Sequence, residues 1–100
     1  MIEQNGNGLS VTGPMLIANA SALLEAGRGF LRAGVGAGRT SEVVLDLSLA
    51  EETDSSALSV VFGLLRTARE RGVKLRVSHP PASMISQATL YGVSDSLSLA

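Results

Sequence analysis

The residues best suited to chemistry form a short polar run at 53–56, Thr-Asp-Ser-Ser, which separates a hydrophobic segment from an amphipathic one. Asp54 and the two serines are residue types that accept hydrogen bonds from the first amides of a helix, so the run predicts a helix N-terminus. A phosphate on Ser55 or Ser56 would be held by those amides and by the helix dipole, although the acidic residues just before the run would repel it. The run therefore predicts either a plain helix cap or a site at which charge and partners act.

A catalytic serine is the alternative with the most specific chemistry. The one histidine, His79, could approach Ser55 at the edge of a sheet. Asp46 or Asp54 would then orient its imidazole, as in hydrolases with a Ser-His-Asp triad. The sequence lacks the Gly-x-Ser-x-Gly turn that exposes a nucleophilic serine, and a histidine directly before two prolines is typical of a loop. We therefore expect no catalytic residues and no enzymatic activity.

The acidic residues of this region do not predict a metal site. Glu51, Glu52 and Asp54 are close in sequence, but their spacing is not that of an organised ligand set. The chain has no cysteine, which excludes thiolate ligands and disulfides and is typical of a reducing compartment. We therefore expect no metal and no cofactor.

The composition is that of a globular chain with an aliphatic core. Of the 100 residues, 45% are hydrophobic, 17% are charged and 3% are aromatic. The net charge of −1 argues against nucleic acid as a partner, because proteins that bind it carry a basic excess. No segment is apolar enough to span a bilayer, and the N-terminus lacks a secretory pattern. We expect one cytoplasmic domain, 1–100, with residues 1–8 loosely ordered.

The polar run lies between a predicted strand and a predicted helix. Residues 42–48 are rich in β-branched and aliphatic side chains, which favours a buried strand, and a short acidic loop is expected after it. A helix is predicted from Asp54 to about Arg71 and is ended by Gly72; its apolar stripe consists of Leu58, Val61, Phe62 and Leu65. The polar run then lies at the carboxyl end of the strand, where open α/β sheets meet ligands and partners.

The segment before this unit predicts further strands and one helix. A strand at 9–12 is expected to break at Gly13-Pro14, and a second short strand is expected at 15–17. Asn19 is the predicted N-cap of a helix that ends near Ala33, with one face formed by Leu23, Ala26, Phe30 and Ala33.

Glycines mark two places in this half of the chain. Gly27 and Gly29, inside the first helix, each cost about 1 kcal/mol relative to alanine, so they indicate either a close approach to another element or a weak helix. Residues 34–38, Gly-Val-Gly-Ala-Gly, have the composition of a nucleotide-binding loop. Because a helix precedes them and a strand follows, the reverse of the order that a phosphate-binding loop needs, we interpret them as a linker.

The segment after the central helix predicts a crossover and a closing helix. Residues 73–78 alternate between apolar and polar side chains, and the single intervening helix favours a strand parallel to 42–48. Pro80-Pro81 is expected to open a third helix that Gly92 closes, with Ile85, Ala88 and Tyr91 on its apolar face. The tail 93–100 is expected to form a short strand or half-turn around Leu97 and Leu99.

The outer face of the central helix is the second predicted contact region. Ser59, Gly63 and Arg66 recur at helical spacing, followed by Glu70, on the side that the apolar stripe leaves free. Small residues at two of these positions would let another chain approach closely, and an arginine beside them could pair with an acidic partner. A mid-helix glycine costs about 1 kcal/mol, which favours a packing reason for Gly63.

Taken in order, these motifs resemble those of the STAS domain, the fold of anti-sigma-factor antagonists and of the C-terminal domains of sulfate transporters. The resemblance covers nearly the whole chain and is carried by four stretches: Val44-Leu45-Asp46-Leu47-Ser48, Thr53-Asp54-Ser55-Ser56-Ala57-Leu58, Arg71-Gly72-Val73-Lys74-Leu75 and Leu90-Tyr91-Gly92-Val93. The opening residues 9–14 are also similar to the family's first strand and turn. The resemblance to the STAS domain implies an α/β fold, in which a small mixed sheet carries helices mainly on one face.

Two branches of the family give two functional hypotheses. Antagonists carry glycine after Asp-Ser-Ser and are phosphorylated there by a serine kinase, whereas this chain has Ala57. Asp-Ser-Ser-Ala-Leu is more similar to the stand-alone STAS subunit of Mla-type phospholipid ABC transporters, which binds the cytoplasmic ATPase. This resemblance implies a binding module that meets the inner membrane only through its partner, with Ser55 and Ser56 mostly unphosphorylated. The predicted partner-binding residues are Thr53, Asp54, Ser55, Ser56, Ser59, Gly63 and Arg66.

Overall fold

A computed structural model describes residues 1–6, 8–34, 42–97 and 99, and in this part of the chain a four-stranded sheet packs against three α-helices. The elements in chain order are β1 (Ile2–Asn5), β2 (Gly8–Met15), α1 (Ile17–Arg32), β3 (Glu42–Thr53), α2 (Ser55–Glu70), β4 (Lys74–Ser78), α3 (Ala82–Leu90) and a short 3-10 helix (Ser94–Ser96).

The strands lie side by side in chain order, β1-β2-β3-β4. β1 and β2 form an antiparallel hairpin, while β2, β3 and β4 run parallel to one another. Helix α1 connects β2 to β3, and α2 connects β3 to β4, so each parallel pair has the helical crossover that it requires. The predicted parallel pairing of 42–48 with 73–78 is confirmed.

One face of the sheet forms the core. In β3 the side chains of Val43, Leu45 and Leu47 are fully buried, whereas the alternating residues Asp46 and Ser48 face the other side and contact solvent. The helices cover the apolar face: α2 contributes the largest buried set, consisting of Ala57, Leu58, Val60, Val61, Leu64, Thr67 and Ala68. The predicted α/β architecture, a mixed sheet with helices on one face, is therefore confirmed.

Three strand predictions are wrong in their extent. Residues 2–5 and 8, expected to be loosely ordered, belong to strands, because Ile2 is buried and β1 pairs with β2. Gly13-Pro14 does not interrupt β2, which continues to Met15. The acidic segment expected to be a loop belongs to β3, since Met15 pairs with Thr53. The β2–β3 ladder has two register shifts, at which β3 contains one more residue than β2. These shifts are β-bulges, and β3 continues through them although its acidic residues have low strand propensity.

Helix α1 begins earlier than predicted, and a different face of it is buried. Leu16 is the N-cap, and the Asn19 side chain accepts a hydrogen bond from the Leu16 amide at 2.8 Å from inside the first turn. The buried residues are Leu23, Gly27 and Leu31, while Phe30 is half-buried and the predicted face residues Ala26 and Ala33 are exposed. The face of α1 that contains Gly27 is buried because α2 packs along that side of the helix.

The remaining helix ends agree with their glycines. Gly72 and Gly92 both have φ of +70°, the left-handed conformation that ends a helix. In α3, Met84 and Ala88 are buried, but Tyr91, predicted on the apolar face, is exposed. In the tail Leu97 is buried and Leu99 forms an isolated bridge to Val77 of β4. Of the predicted glycine-rich linker 34–38, all but Gly34 lies outside the described residues.

Candidate functional site

The site predicted from the polar run lies where β3 gives way to α2, and Asp54 organises it. Asp54 has an extended backbone and is the N-cap of α2: one carboxylate oxygen, Oδ1, accepts a hydrogen bond from the Ser56 amide at 2.8 Å. The other oxygen, Oδ2, accepts one from the amide of Ile17 at 2.9 Å. Ile17 is the first residue of α1, so a single carboxylate caps two helices.

This geometry lowers the pKa of Asp54 below its ordinary value. The largest cause of the lowered pKa is the hydrogen bond from the Ile17 amide; desolvation, the next largest effect, opposes it, and the bonds from Ser56 add to the lowering. Asp54 is therefore ionised at neutral pH, with its negative charge at the positive ends of both helix dipoles. The carboxylate therefore holds the turn together as a helix cap. This confirms the helix cap that the sequence predicted at Asp54.

The hydroxyl groups around Asp54 have different environments. Thr53 Oγ1 lies 2.8 Å from Ser83 Oγ, a hydrogen bond that ties the end of β3 to the start of α3. Ser55, the first residue of α2, is exposed, whereas Ser56 is half-buried. The hydroxyl most accessible to a partner or a modifying enzyme is therefore that of Ser55.

Sequence analysis missed one residue at this edge. Ile17 was predicted to be in a strand, but it begins α1 and leaves 78% of its surface exposed. Its amide binds Asp54, so its side chain extends from the same turn. No sequence signal placed it there, because its neighbour Asp54 is 37 residues away along the chain. We define the turn surface as Ile17, Thr53, Asp54, Ser55, Ser56 and Ser59.

The outer face predicted for α2 is only partly present. Ser59 and Arg66 are exposed, but Gly63 faces α1: a Cβ atom added at Gly63 would lie 2.6 Å from Leu24 Cδ1. The prediction that Gly63 points outwards is therefore wrong. Leu58 and Val61 of the predicted stripe are buried, but Phe62 and Leu65 are only half-buried. The most buried residues of α2 are Ala57, Val61, Leu64 and Ala68, so its buried face is rotated away from Phe62 and Leu65, which brings Gly63 into the contact between the helices.

Of the residues of the hydrolase alternative, His79 and Asp46 come together, but in the described part of the chain no hydrogen bond joins His79 to Ser55. His79 Nδ1 lies 3.4 Å from Asp46 Oδ1, on the sheet face opposite the helices. Asp46 also accepts hydrogen bonds from the Ser48 amide and hydroxyl; these bonds, chiefly the one from the amide, lower its pKa, and nearby His79 adds to the effect. Asp54 is fully used by two helix amides. Within the described ranges, no group of three or more acidic or histidine side chains is arranged to hold a metal ion.

The comparison with known families decides the identity of this arrangement. The model of a family described as "Mlab, STAS domain" matches residues 1–99, nearly the whole chain. The chain belongs to the STAS domain family. The resemblance inferred from the four sequence stretches is thereby confirmed.

Solved structures of STAS-like proteins share this fold at low sequence identity. The anti-sigma factor antagonist SpoIIAA in its unphosphorylated form is 12% identical with a TM-score of 0.65, covering 90% of this chain and 81% of that one. Bacillus SpoIIAA in its phosphorylated form gives 12% and 0.66, with coverages of 95% and 85%. The protein tm1081 from Thermotoga maritima, described as an anti-sigma factor antagonist, gives 15% and 0.68, with coverages of 99% and 83%. These likenesses show the fold alone.

No curated protein matches the sequence of this STAS domain. In the described part of the chain, none of the helices is both long and apolar enough to cross a bilayer. STAS domains act through protein–protein contacts, so the turn surface is considered below as a contact surface.

Proposed function

We propose that this STAS domain is a non-catalytic subunit that binds the cytoplasmic ATPase of a phospholipid-transporting ABC complex and supports it. In this proposal the domain is cytoplasmic and reaches the inner membrane only through that partner. The observation that carries the proposal is the match of residues 1–99 to the STAS model described as Mlab. The Asp-Ser-Ser-Ala-Leu sequence at 54–58 supports it from the residues.

The turn surface has the physical properties that such a contact needs. Asp54 holds the starts of α1 and α2 in fixed positions, and the bond from Thr53 to Ser83 adds the start of α3. A partner that binds there meets a turn that is already ordered, so little conformational entropy is lost on association. The exposed side chains offer a partner an apolar contact from Ile17 and a hydrogen-bonding hydroxyl from Ser55.

An anti-sigma-factor antagonist is the second candidate. It is favoured by the structural similarity to SpoIIAA, which is known in phosphorylated and unphosphorylated forms, and by the exposed hydroxyl of Ser55. A phosphate on Ser55 would lie at the N-terminus of α2, which attracts negative charge. It would also lie next to the ionised carboxylate of Asp54, and this repulsion disfavours a stable phosphoserine at the turn.

Co-purification from native cells separates the two candidates. The tagged chain is expressed at its native level and isolated from solubilised membranes and from the soluble fraction, and the tag alone serves as the control. The first candidate predicts an ABC ATPase in the membrane fraction and an intact mass of the chain without phosphate. A serine kinase partner together with stoichiometric phosphate on Ser55 or Ser56 would move the assignment to the antagonist.

A further inference from the structure

A groove lies along α2 on the side opposite its contact with α1. Phe62, Leu65 and Val93 line it together with Arg66, Arg69 and Ser96, and it encloses about 350 Å³. A second hollow of about 240 Å³ shares Leu65, Arg69 and Ser96 with it and extends it to Lys74 at the start of β4. We define the basic groove as Phe62, Leu65, Arg66, Arg69, Lys74 and Val93.

The floor of the basic groove is apolar. Phe62, Leu65 and Val93 pack against the core but remain half-buried, so each leaves part of its surface open to the groove. Phe62 is one of only two phenylalanines in the chain. An aromatic and an aliphatic side chain at the base of a concave surface are suited to receive apolar side chains of a partner.

The rim of the basic groove is cationic. In the described part of the chain, none of Arg66, Arg69 and Lys74 has a carboxylate oxygen within 4.0 Å, whereas Arg28 and Arg76 each form an ion pair. Glu70 follows Arg69 in the sequence and Asp95 precedes Ser96, and both acidic residues are exposed. Three basic side chains therefore surround an apolar floor in a chain whose net charge is −1.

We propose that the basic groove binds an acidic amphipathic segment of a partner protein, with apolar side chains on the floor and carboxylates on the three rim cations. The concave shape and small extent of the patch fit one peptide segment. An anionic bilayer or a nucleic acid would require a broader basic surface, and Glu70 and Asp95 interrupt this one. The groove extends away from the turn surface along α2. Its Phe62 is one turn from Ser59, but Arg69 lies about 21 Å from Ser55 at 1.5 Å per residue. The inference therefore does not depend on the proposed function.

The test uses two synthetic peptides of equal length and equal leucine content. In one, glutamates occupy the polar face of an amphipathic helix; in the other, lysines replace the glutamates. Binding to the ¹⁵N-labelled chain at pH 7 is followed by backbone amide shifts and by fluorescence anisotropy, with phosphatidylglycerol vesicles as a third probe. Arg69→Glu is compared with the matched control Arg32→Glu, because both arginines are exposed in the last turn of a 16-residue helix.

The proposal predicts that only the glutamate peptide binds and that its largest shifts lie at Phe62, Leu65 and Arg69. Arg69→Glu should weaken this binding about fivefold or more, since it replaces an attraction at the rim with a repulsion, while Arg32→Glu should leave it unchanged. The proposal would be overturned if both peptides bound equally, if neither bound, or if only the vesicles bound. It would also be overturned if the two variants had equal effects or if the largest shifts lay at the turn surface. Ser55→Arg, which tests the turn surface, should not affect the peptide, so the two proposals fail separately.

Discussion

Asp54 is the residue on which the candidate site depends. Its two carboxylate oxygens accept amide hydrogen bonds from the starts of two helices that are far apart in sequence. Asparagine could cap α2 through its one side-chain oxygen, but its amide group could not accept the second bond from Ile17. The second carboxylate oxygen of Asp54 therefore joins the start of α1 to the turn, in addition to the local cap of α2.

Replacing Asp54 with asparagine should make the stability of the chain less dependent on pH. The folded-state pKa of Asp54 is lowered from 3.8, so the ionised carboxylate stabilises the fold above that value and this contribution disappears as pH falls through the folded-state pKa. In urea unfolding, Asp54→Asn should be less stable than the wild type at pH 7. The difference should shrink as pH falls from 3.8 through the lowered folded-state pKa, because below that pKa neither chain carries the charge.

Asp46 provides the internal control, because its pKa is also lowered and it is present in both chains. Its contribution cancels when the two unfolding curves are subtracted. A stability difference that is the same at pH 7 and at low pH would show that the charge of Asp54 does not stabilise the turn.

Leu58 and Phe62 lie one turn apart on α2 and should differ in their contributions to stability. Leu58 is 5% exposed, so Leu58→Ala should lower the free energy of unfolding by about 2–5 kcal/mol. Phe62 is half-buried at the basic groove, so Phe62→Ala should cost less than the roughly 3–5 kcal/mol of a fully buried phenylalanine. Urea unfolding measures both, and a larger loss for Phe62→Ala than for Leu58→Ala would contradict this placement.

At the scale of elements, the packing of α1 against α2 is set by small residues. A Cβ atom at Gly27 would lie 2.5 Å from Leu64 Cδ2 and 3.2 Å from Ile2 Cδ1, and both neighbours are buried. At Gly63 the neighbour is the half-buried Leu24. The glycines therefore let the two helix backbones come close where they cross. Gly29 has no neighbour within 4 Å of such an atom.

Gly27 and Gly29 should consequently respond in opposite directions to the same substitution. Gly27→Ala should lower the free energy of unfolding by about 1–3 kcal/mol, because Leu64 cannot move away without disturbing the core. Gly29→Ala should raise it by up to about 1 kcal/mol, because alanine restricts the unfolded chain and favours a helix. Thermal and urea unfolding of the two variants provide the measurement. If both variants were stabilised alike, the close contact at Gly27 would be absent.

The elements differ in how far the sequence could predict them. The parallel β3–β4 pair and the cap of α2 were predictable because hydrophobic pattern, cap residues and Gly72 all agree locally. The strand character of residues 49–53 was not, because acidic side chains disfavour strands and the pairing with β2 overrides that preference. The hairpin of β1 and β2 was missed even though the sequence Asn-Gly-Asn-Gly at 5–8 was available as its turn signal.

The candidate site was predictable only in its local part. The cap formed by Asp54 follows from three adjacent residues, whereas the bond to Ile17 depends on how α1 enters the fold. The orientation of Gly63 likewise depends on α1, because the apolar stripe of α2 touches two neighbours and its centre lies between them. Long-range placement of this kind is not encoded in the periodicity of one helix.

For the molecule as a whole, α2 carries two separate surfaces on one small domain. Its first turn belongs to the turn surface, and its later turns form one wall of the basic groove. Both lie on the helical side, and the opposite face of the sheet carries polar groups such as Asp46 and Ser48. A partner that occupied the turn surface would leave the groove open, so the domain could contact two segments at once.

Binding of the turn surface to the ATPase of an ABC complex can be measured as the affinity of purified variants for that ATPase. Calorimetric titration compares the wild type with Ser55→Arg and with Gly29→Arg, which introduces the same side chain at an exposed, open position about 18 Å along α1 from Ile17. Thermal unfolding of each variant confirms that it is folded. We expect Ser55→Arg to weaken binding to the ATPase about tenfold or more, because it introduces steric overlap and an unpaired charge. We expect Gly29→Arg to bind like the wild type. Wild-type chain that does not bind the ATPase, or Ser55→Arg that binds at full strength, would contradict it.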